Sequence, residues 1–565
     1  MTYEREIPDF AMVPARAADE RIIIPVTKGA IYTPVQVTNI TEKPKTVITI
    51  EEDILVPDTK PDLREILLID GKSRLAFREM DQMNKSDDYI SLTGEVELQT
   101  LYSPENSQHS GPVIAVQTRV PFKDRWHVGA AAGGTLTADC KVEKIEYMVI
   151  NERKYRVKIS LAITAREFAN RKVDVFEGIS GEEIQMLKEK FQITNIAQRK
   201  RDTVSISQTL EIKEDCPIEN ILIQDITAVE NYKQITGEKI IINGFIYVNL
   251  LYTVCEEQKS GTYDPEEMRD EGGQITLLCT DHIHQAQERV EFTQFIPISQ
   301  GGSLSGSKVF FDSSGLKVKL VCDEDDGEVL RLEGDIITYV ELYSNEEKEI
   351  IVDGYHREKD FLCDFNEEKC CTLVGQAAGE TSVREIISPD GVFGEIEKII
   401  YTTGDVSSSR SRSEQGKMVT EGTITAKLIC QSKDRPQLFA IRQEVLFRIA
   451  AASVQLEGGE IINEKVHIKD VWAERINGKQ IEFNGSVAVN AEIMEEKAFK
   501  VLANPAFEEA AIKTRPVPMV VYVTKEGDTL WSIAKAFKTT TETINQLNQL
   551  EGQKPEKGRK LLILK

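Results

Sequence analysis

Residues 93–102 read TGEVELQTLY: a glycine, then apolar and polar residues in alternation. A period of two puts Val96 and Leu98 on one face of a pleated chain and Glu95, Glu97 and Gln99 on the other, the signature of a half-buried strand. The pattern returns twice, as NGFIYVNLLY (243–252) and EGTITAKLIC (421–430). Ahead of these strands lie DLREILLID (62–70), PIENILIQD (217–225) and SVREIISPD (382–390). Each has an apolar residue, two polar ones and an apolar pair, and each closes on an aspartate: Asp70, Asp225 or Asp390.

Behind them, RVPFKDRWHVGAAAGG (119–134), QFIPISQGGSLSG (294–306) and EVLFRIAAASVQLEGG (444–459) run from strand-like sequence into small residues. YRVKISLAITARE (155–167), RLEGDIITYVELY (331–343) and IEFNGSVAVNAEI (481–493) then close each copy. Internal repetition at this period points to one supersecondary unit used three times. The chain therefore reads as mainly β, with repeats at 41–177, 200–362 and 363–510. Residues 1–40 form an N-terminal extension whose strands, RIIIPV and AIYTPVQVTNI, are expected to complete or extend the first repeat. The buried faces expected are Val96, Leu98 and Leu101 in the first repeat, and Phe245, Tyr247 and Leu250 or Leu251 in the second.

Two segments break the β pattern. In 178–199, Ile184, Leu187 and Phe191 recur at helical spacing with charges opposite, which predicts an amphipathic helix and linker. VSSSRSRSEQGK (406–417) reads as a solvated hairpin loop.

VPDTKPDLREIL (56–67) sets Asp58 and Asp62 four apart, as a catalytic or metal-binding carboxylate pair would stand. The pair is not kept in the other copies, where EDCP and GETS take its place. Proline fixes its own φ and pushes its predecessor into extended geometry, so PDTKP reads as a rigid turn that starts a strand. His282 and His284 fit one face of a strand, but six histidines in 565 residues leave few further nitrogen ligands. Nucleophile-elbow, zincin and phosphate-loop motifs are missing, and GGSLSG and GAAAGG precede strands rather than helices. The expectation is a chain without catalysis, metal or cofactor.

At 565 residues about three to five domains are expected. With 41% hydrophobic and 29% charged residues the composition is globular, not disordered. A formal charge of −24 disfavours nucleic acid and anionic membranes, which need a basic footprint. No apolar run reaches the roughly 18 residues of a membrane span, and no export signal opens the sequence. Nine cysteines without a CxxC pair fit reduced thiols in a cytoplasmic compartment.

The C-terminal segment after a short linker (511–519) is of another kind. VVYVTKEG reads as strand and turn, Thr529 as a helix cap, and Leu530, Ile533, Ala534 and Phe537 as one helical face. TTETINQLNQL makes a second helix with Ile544, Leu547 and Leu550 on its apolar side, and KLLIL a returning strand. This βααβ order with GDTLWSIA resembles a LysM domain over 520–565. The resemblance implies N-acetylglucosamine glycan binding, as in peptidoglycan, between two loops: Gly527, Asp528, Thr529 and Leu530 facing Asn548, Gln549, Leu550 and Glu551. The family's Pro-Gly-Gln before the last strand is replaced here by Glu556-Lys557-Gly558-Arg559-Lys560. Residues 519–565 carry a net charge of +3 against −27 for the remainder. Lys557, Arg559 and Lys560 are therefore candidates for steering an acidic protein partner.

ILVPDTKPDLREIL followed by the GxVxLxxLY strand resembles the SPOCS domain of spore-envelope proteins. SPOCS-like repeats before one terminal LysM resemble the SipL family of spore-morphogenesis proteins. That resemblance implies a non-enzymatic scaffold in the mother cell, at the forespore surface, whose LysM docks on a SpoIVA-like spore coat protein. Glycan binding at the cell wall is the alternative reading.

Overall fold

The computed structural model describes residues 23–25, 29–76, 79–80, 89–105, 112–127, 135–212, 217–254, 282–299, 304–323, 327–389, 393–433, 438–451, 455–508, 519–550 and 555–564. A short strand β1 (Ile23–Pro25) precedes the first block. That block comprises β2 (Ala30–Leu55), β3 (Leu63–Leu75), β4 (Glu79–Met80), β5 (Tyr89–Pro104), β6 (Ile114–His127), β7 (Thr135–Asn151) and β8 (Lys154–Ile179). The second comprises β9 (Ile184–Thr209), β10 (Ile218–Ile235), β11 (Lys239–Val254), β12 (Ile283–Pro297), β13 (Leu304–Asp312), β14 (Lys317–Asp323) and β15 (Gly327–His356). The third comprises β16 (Asp360–Ile387), β17 (Ile396–Glu414), β18 (Lys417–Ser432), β19 (Leu438–Ala451), β20 (Ile461–Asn477) and β21 (Gln480–Glu508). The C-terminal module follows as β22 (Met519–Val523), α1 (Leu530–Phe537), α2 (Thr541–Asn548) and β23 (Lys560–Leu564).

The three blocks share one plan. The first long strand lies antiparallel to the last, as β2–β8, β9–β15 and β16–β21. The last strand also pairs with the hairpin partner ahead of it: β7, β14 or β20. The middle strands form meanders β3-β5-β6, β10-β11-β12 and β17-β18-β19. In the first block this meander packs on the long-strand sheet over Val96, Leu98, Val157 and Ile159. Glycines Gly94, Gly244 and Gly422 sit opposite Phe122, Phe292 and Phe447 in the same register.

Several expectations change. Residues 184–209, expected to begin as an amphipathic helix, are strand β9, paired along its length with β15. The charges placed on the solvent face of a helix are cross-strand ion pairs, Lys190 with Glu347 at 2.7 Å and Lys188 with Glu349 at 3.6 Å. A 30-residue strand edge needs backbone partners, and that demand overrides local helical spacing. AIYTPVQVTNI opens β2 and, paired with β8, completes the first block, whereas β1, within RIIIPV, pairs with β21 of the third block instead of the first.

The third copy of the 62–70 motif is IEKIIYTTGD (396–405), recognised by the matching register shifts at Ile66/Leu68, Ile221/Ile223 and Ile399/Tyr401. Ser382–Ile387 belongs instead to β16, and Asp390 lies outside the described residues. In the second block the buried face is Ile246, Val248 and Leu250, while Phe245 and Tyr247 point the other way. Arg289 stacks on Phe245 at 4.6 Å and covers that half-buried face. Most of 406–417 is strand, with the turn at Gln415 and Gly416.

The blocks close on one another in a ring. Leu67, Leu68 and Leu101, Leu222, Ile223 and Leu251, and Ile400, Tyr401 and Ile429 form one shared apolar cluster. The fifth residue after each meander glycine reaches the next block. Gln99 Nε2 donates to Gln224 O at 3.0 Å and Asn249 Nδ2 to Thr402 O at 3.3 Å. Lys427 Nζ completes the circuit on Asp70 at 3.2 Å. A second contact joins the long strands, where Thr372 Oγ1 donates to Gln192 O at 3.0 Å and Thr38 Oγ1 to Asn195 Oδ1 at 3.0 Å. Arg166 of the first block and Lys308 of the second both approach Glu492 of the third at 3.5 Å.

Asp70 stands in this junction, where burial and then the Asp405 carboxylate push it up to about 6 from 3.8. An acid whose folded pKa is raised favours the fold when protonated, and that contribution is lost as pH rises through about 6. Asp70→Asn is therefore expected to raise the melting temperature above pH 6 and to leave it nearly unchanged below 3.8. Lys427 keeps Asp405 as a partner in that variant. Thermal melts across this pH range check it, and a lower melting temperature at pH 7 contradicts it.

Candidate binding site on the C-terminal module

β22 and β23 pair antiparallel, with Tyr522 opposite Leu561 and Val520 opposite Ile563. Gly527, at φ +89°, makes the turn that a side chain would strain. Thr529 then caps α1: its Oγ1 accepts from Ser532 N at 3.0 Å, while Ser532 Oγ accepts from Thr529 N at 3.0 Å. Thr540 caps α2, its Oγ1 accepting from Thr543 N at 3.1 Å. Ile533, Ala534, Ile544, Leu550, Leu561 and Ile563 fill the space between helices and strands.

The two loops of the expected groove are held by side chains. Asp528 Oδ2 accepts from Tyr522 Oη at 2.8 Å and from Lys525 N at 2.7 Å. Asn548 locks the end of α2 to β23, donating to Leu562 O at 2.8 Å and accepting from Leu562 N at 2.7 Å. Thr524 N donates to Arg559 O at 3.0 Å, which brings the loop before β23 onto the loop after β22. Arg559 also donates to Asn548 O at 3.5 Å, and Lys557 pairs with Glu526 at 2.8 Å.

Gly527, Thr529 and Gln549 are exposed, and Asp528, Leu530 and Asn548 half-buried. The Asn548 amide is occupied by the fold. Leu550 is a core residue rather than a groove surface, because the αL residue Gln549 turns the chain inward after α2. Glu551 lies outside the described residues. Lys557, Arg559 and Lys560 are all exposed.

One surface was not foreseen. The outward face of the two-stranded sheet carries Met519, Val521 and Val523, exposed at 53%, 60% and 49%. Leu562 and Leu564, half-buried, lie directly across from Val521 and Met519. The signal was present in VVYV: four consecutive apolar residues in a strand leave one apolar face outside.

Elsewhere, the Asp58–Asp62 stretch is a turn clamped by Arg153, which pairs with Asp62 at 2.9 Å and Asp58 at 3.2 Å. Arg153 also donates to Lys60 O at 2.7 Å, so the carboxylates are used in holding the turn. His282 precedes β12 and His284 lies within it, opposite Tyr252. Among the described residues the grouped acidic side chains are Asp62, Glu105 and Glu152, apart from both histidines.

Residues 522–563 match the family model of the LysM domain, and residues 62–150 and 217–319 match that of the SipL, SPOCS domain. The chain carries SPOCS and LysM domains. No curated protein and no solved structure matches it. The two SPOCS segments begin one residue before β3 and β10, so the family unit contains the meander and its Gly–Phe pair. Both domain types are binding or interaction modules, and together they fit a sporulation-associated protein with a peptidoglycan-binding type of module. Among the described residues no helix is long and apolar enough to cross a membrane.

Proposed function

We propose that this chain is a non-enzymatic scaffold of spore-envelope assembly in the mother cell. The SPOCS ring is its rigid body, and the LysM captures a SpoIVA-like coat protein at the forespore surface. The observation that carries the reading is the LysM sheet face: Met519, Val521 and Val523 exposed beside the basic run Lys557, Arg559 and Lys560. An apolar centre with a charged rim is the composition of a protein-docking surface. The carbohydrate reading loses a polar group, since Asn548 spends its amide on Ile544 and Leu562.

The test is a charge reversal, Lys557→Glu, Arg559→Glu and Lys560→Glu, in the full chain. All three side chains are exposed, and the Lys557–Glu526 pair is solvent-screened, so the module should stay folded. Capture of the coat protein is expected to weaken by about tenfold or more, chiefly in on-rate, and wild-type capture should fall with salt. Unchanged capture by the triple variant, competed away by soluble chitin oligomers, refutes protein docking and favours the glycan alternative.

A further inference from the structure

α1 does not face solvent on all sides. Trp531 packs edge-on against Tyr355 of β15, ring centroids 5.0 Å apart at 62°. Its Nε1 donates to Asp353 Oδ2 at 2.7 Å, and Lys535 Nζ donates to Asp353 Oδ1 at 2.6 Å. One turn on, Lys538 pairs with Asp360, the first residue of β16. Tyr355 Oη donates to Thr539 O. Both carboxylate oxygens of Asp353 are thus taken by one helix face, and the ring two residues on fills that helix's aromatic contact.

Sequence position explains why this happens on the second block. Asp353-Gly354-Tyr355 lies one residue before the end of β15, while the end of β8 reads Glu177-Gly178-Ile179, without an aromatic ring. Trp531 is the largest side chain of a small module, yet it stays half-buried and reaches outside its own core. Burial in Asp353 works against its charge, but the Lys535 and Trp531 hydrogen bonds outweigh it and hold the carboxyl below its ordinary range. The contact is therefore formed with the aspartate ionised.

We infer that the α1 face of the LysM is a recognition surface for a carboxylate–aromatic element, Asp-x-Tyr, whose occupant is this chain's own 353–355 segment. The module is latched to the SPOCS body rather than carried on a loose tether. With α1 occupied, the sheet face and the 555–560 loop are left as the surfaces presented to a partner. The latch stands whether that partner is protein or glycan.

The full chain with D353K/D360K removes the pairing from the body side and leaves every LysM residue unchanged. Two readouts follow the module: the radius of gyration by small-angle scattering, and the initial rate of tryptic cleavage after Lys513 in the connecting segment. Cleavage is expected to speed up about tenfold and the radius to grow. Adding K535D/K538D, which swaps the charges across the contact, is expected to return both values towards wild type. If the reversal prevents folding, D353N/D360N is measured in the same way, with a smaller acceleration expected. Equal cleavage rates and radii in wild type and the body-side variant overturn the inference, as does an acceleration that the charge swap leaves in place.

Discussion

Leu251→Asp will prevent the three blocks from closing into one cooperative unit. Leu251 has no exposed surface and sits in the cluster to which each block contributes a matching strand segment. A carboxylate there faces leucines, isoleucines and Tyr401, while the nearby lysines Lys72 and Lys427 are already paired with Asp225, Asp70 and Asp405. Leaving a charge unpaired in such a site costs several kcal/mol even after partial protonation, against a total stability of about 5–15 kcal/mol. The junction is already burdened with acid. Tyr401 in the same cluster has its phenol raised well above the ordinary range, by burial and then by Asp225 and Asp70. Leu251→Ala, which leaves only a cavity, should cost about 2–5 kcal/mol and keep a single transition. Urea unfolding followed by circular dichroism and by gel filtration separates the cases. A Leu251→Asp protein with wild-type midpoint and elution volume would show that the ring is not held at this cluster.

How far the sequence revealed this architecture depended on where each strand finds its partner. TGEVELQTLY was readable because its buried face is filled largely by neighbours within the same block. The 184–209 strand was not, because its partner β15 begins more than a hundred residues later and local spacing favoured a helix. The third copy was misplaced for a related reason: Val383-Arg384-Glu385-Ile386-Ile387 carries the motif's pattern but serves in the long strand of the block. Only register shifts, which no single sequence displays, identify 396–405 as the counterpart. In the LysM, the α1 cap and most of the core followed from spacing, Ile544 and Leu550 included, whereas Leu547 of the same expected face is exposed. Neither Leu550's place outside the groove nor the partner of Trp531 could be read. Leu550 depends on the left-handed turn at Gln549, and Trp531 on a tyrosine 176 positions earlier in the chain.

The meander glycines yield the second large effect, and they differ among themselves in a way that can be measured. A Cβ on Gly422 would lie 2.5 Å from Phe447 Cζ and closer still to Ser408 O. A Cβ on Gly244 would meet Phe292 Cε1 at 2.5 Å and Val229 O at 2.8 Å. A ring can rotate or be trimmed, but a carbonyl in a paired strand moves only with its ladder. Gly422→Val is therefore expected to destabilise the chain by about 3 kcal/mol or more, and Gly422→Ala by somewhat less. Shortening the facing ring should separate the two sites. Gly244→Ala with Phe292→Leu should regain much of the loss, because the ring is the nearer obstacle there. Gly422→Ala with Phe447→Leu should regain little, because the carbonyl remains. Denaturation midpoints of the four alanine-bearing variants decide it. If Gly422→Ala fell within about 0.5 kcal/mol of wild type, the glycine would owe its place to something other than the ring and carbonyl packed over it.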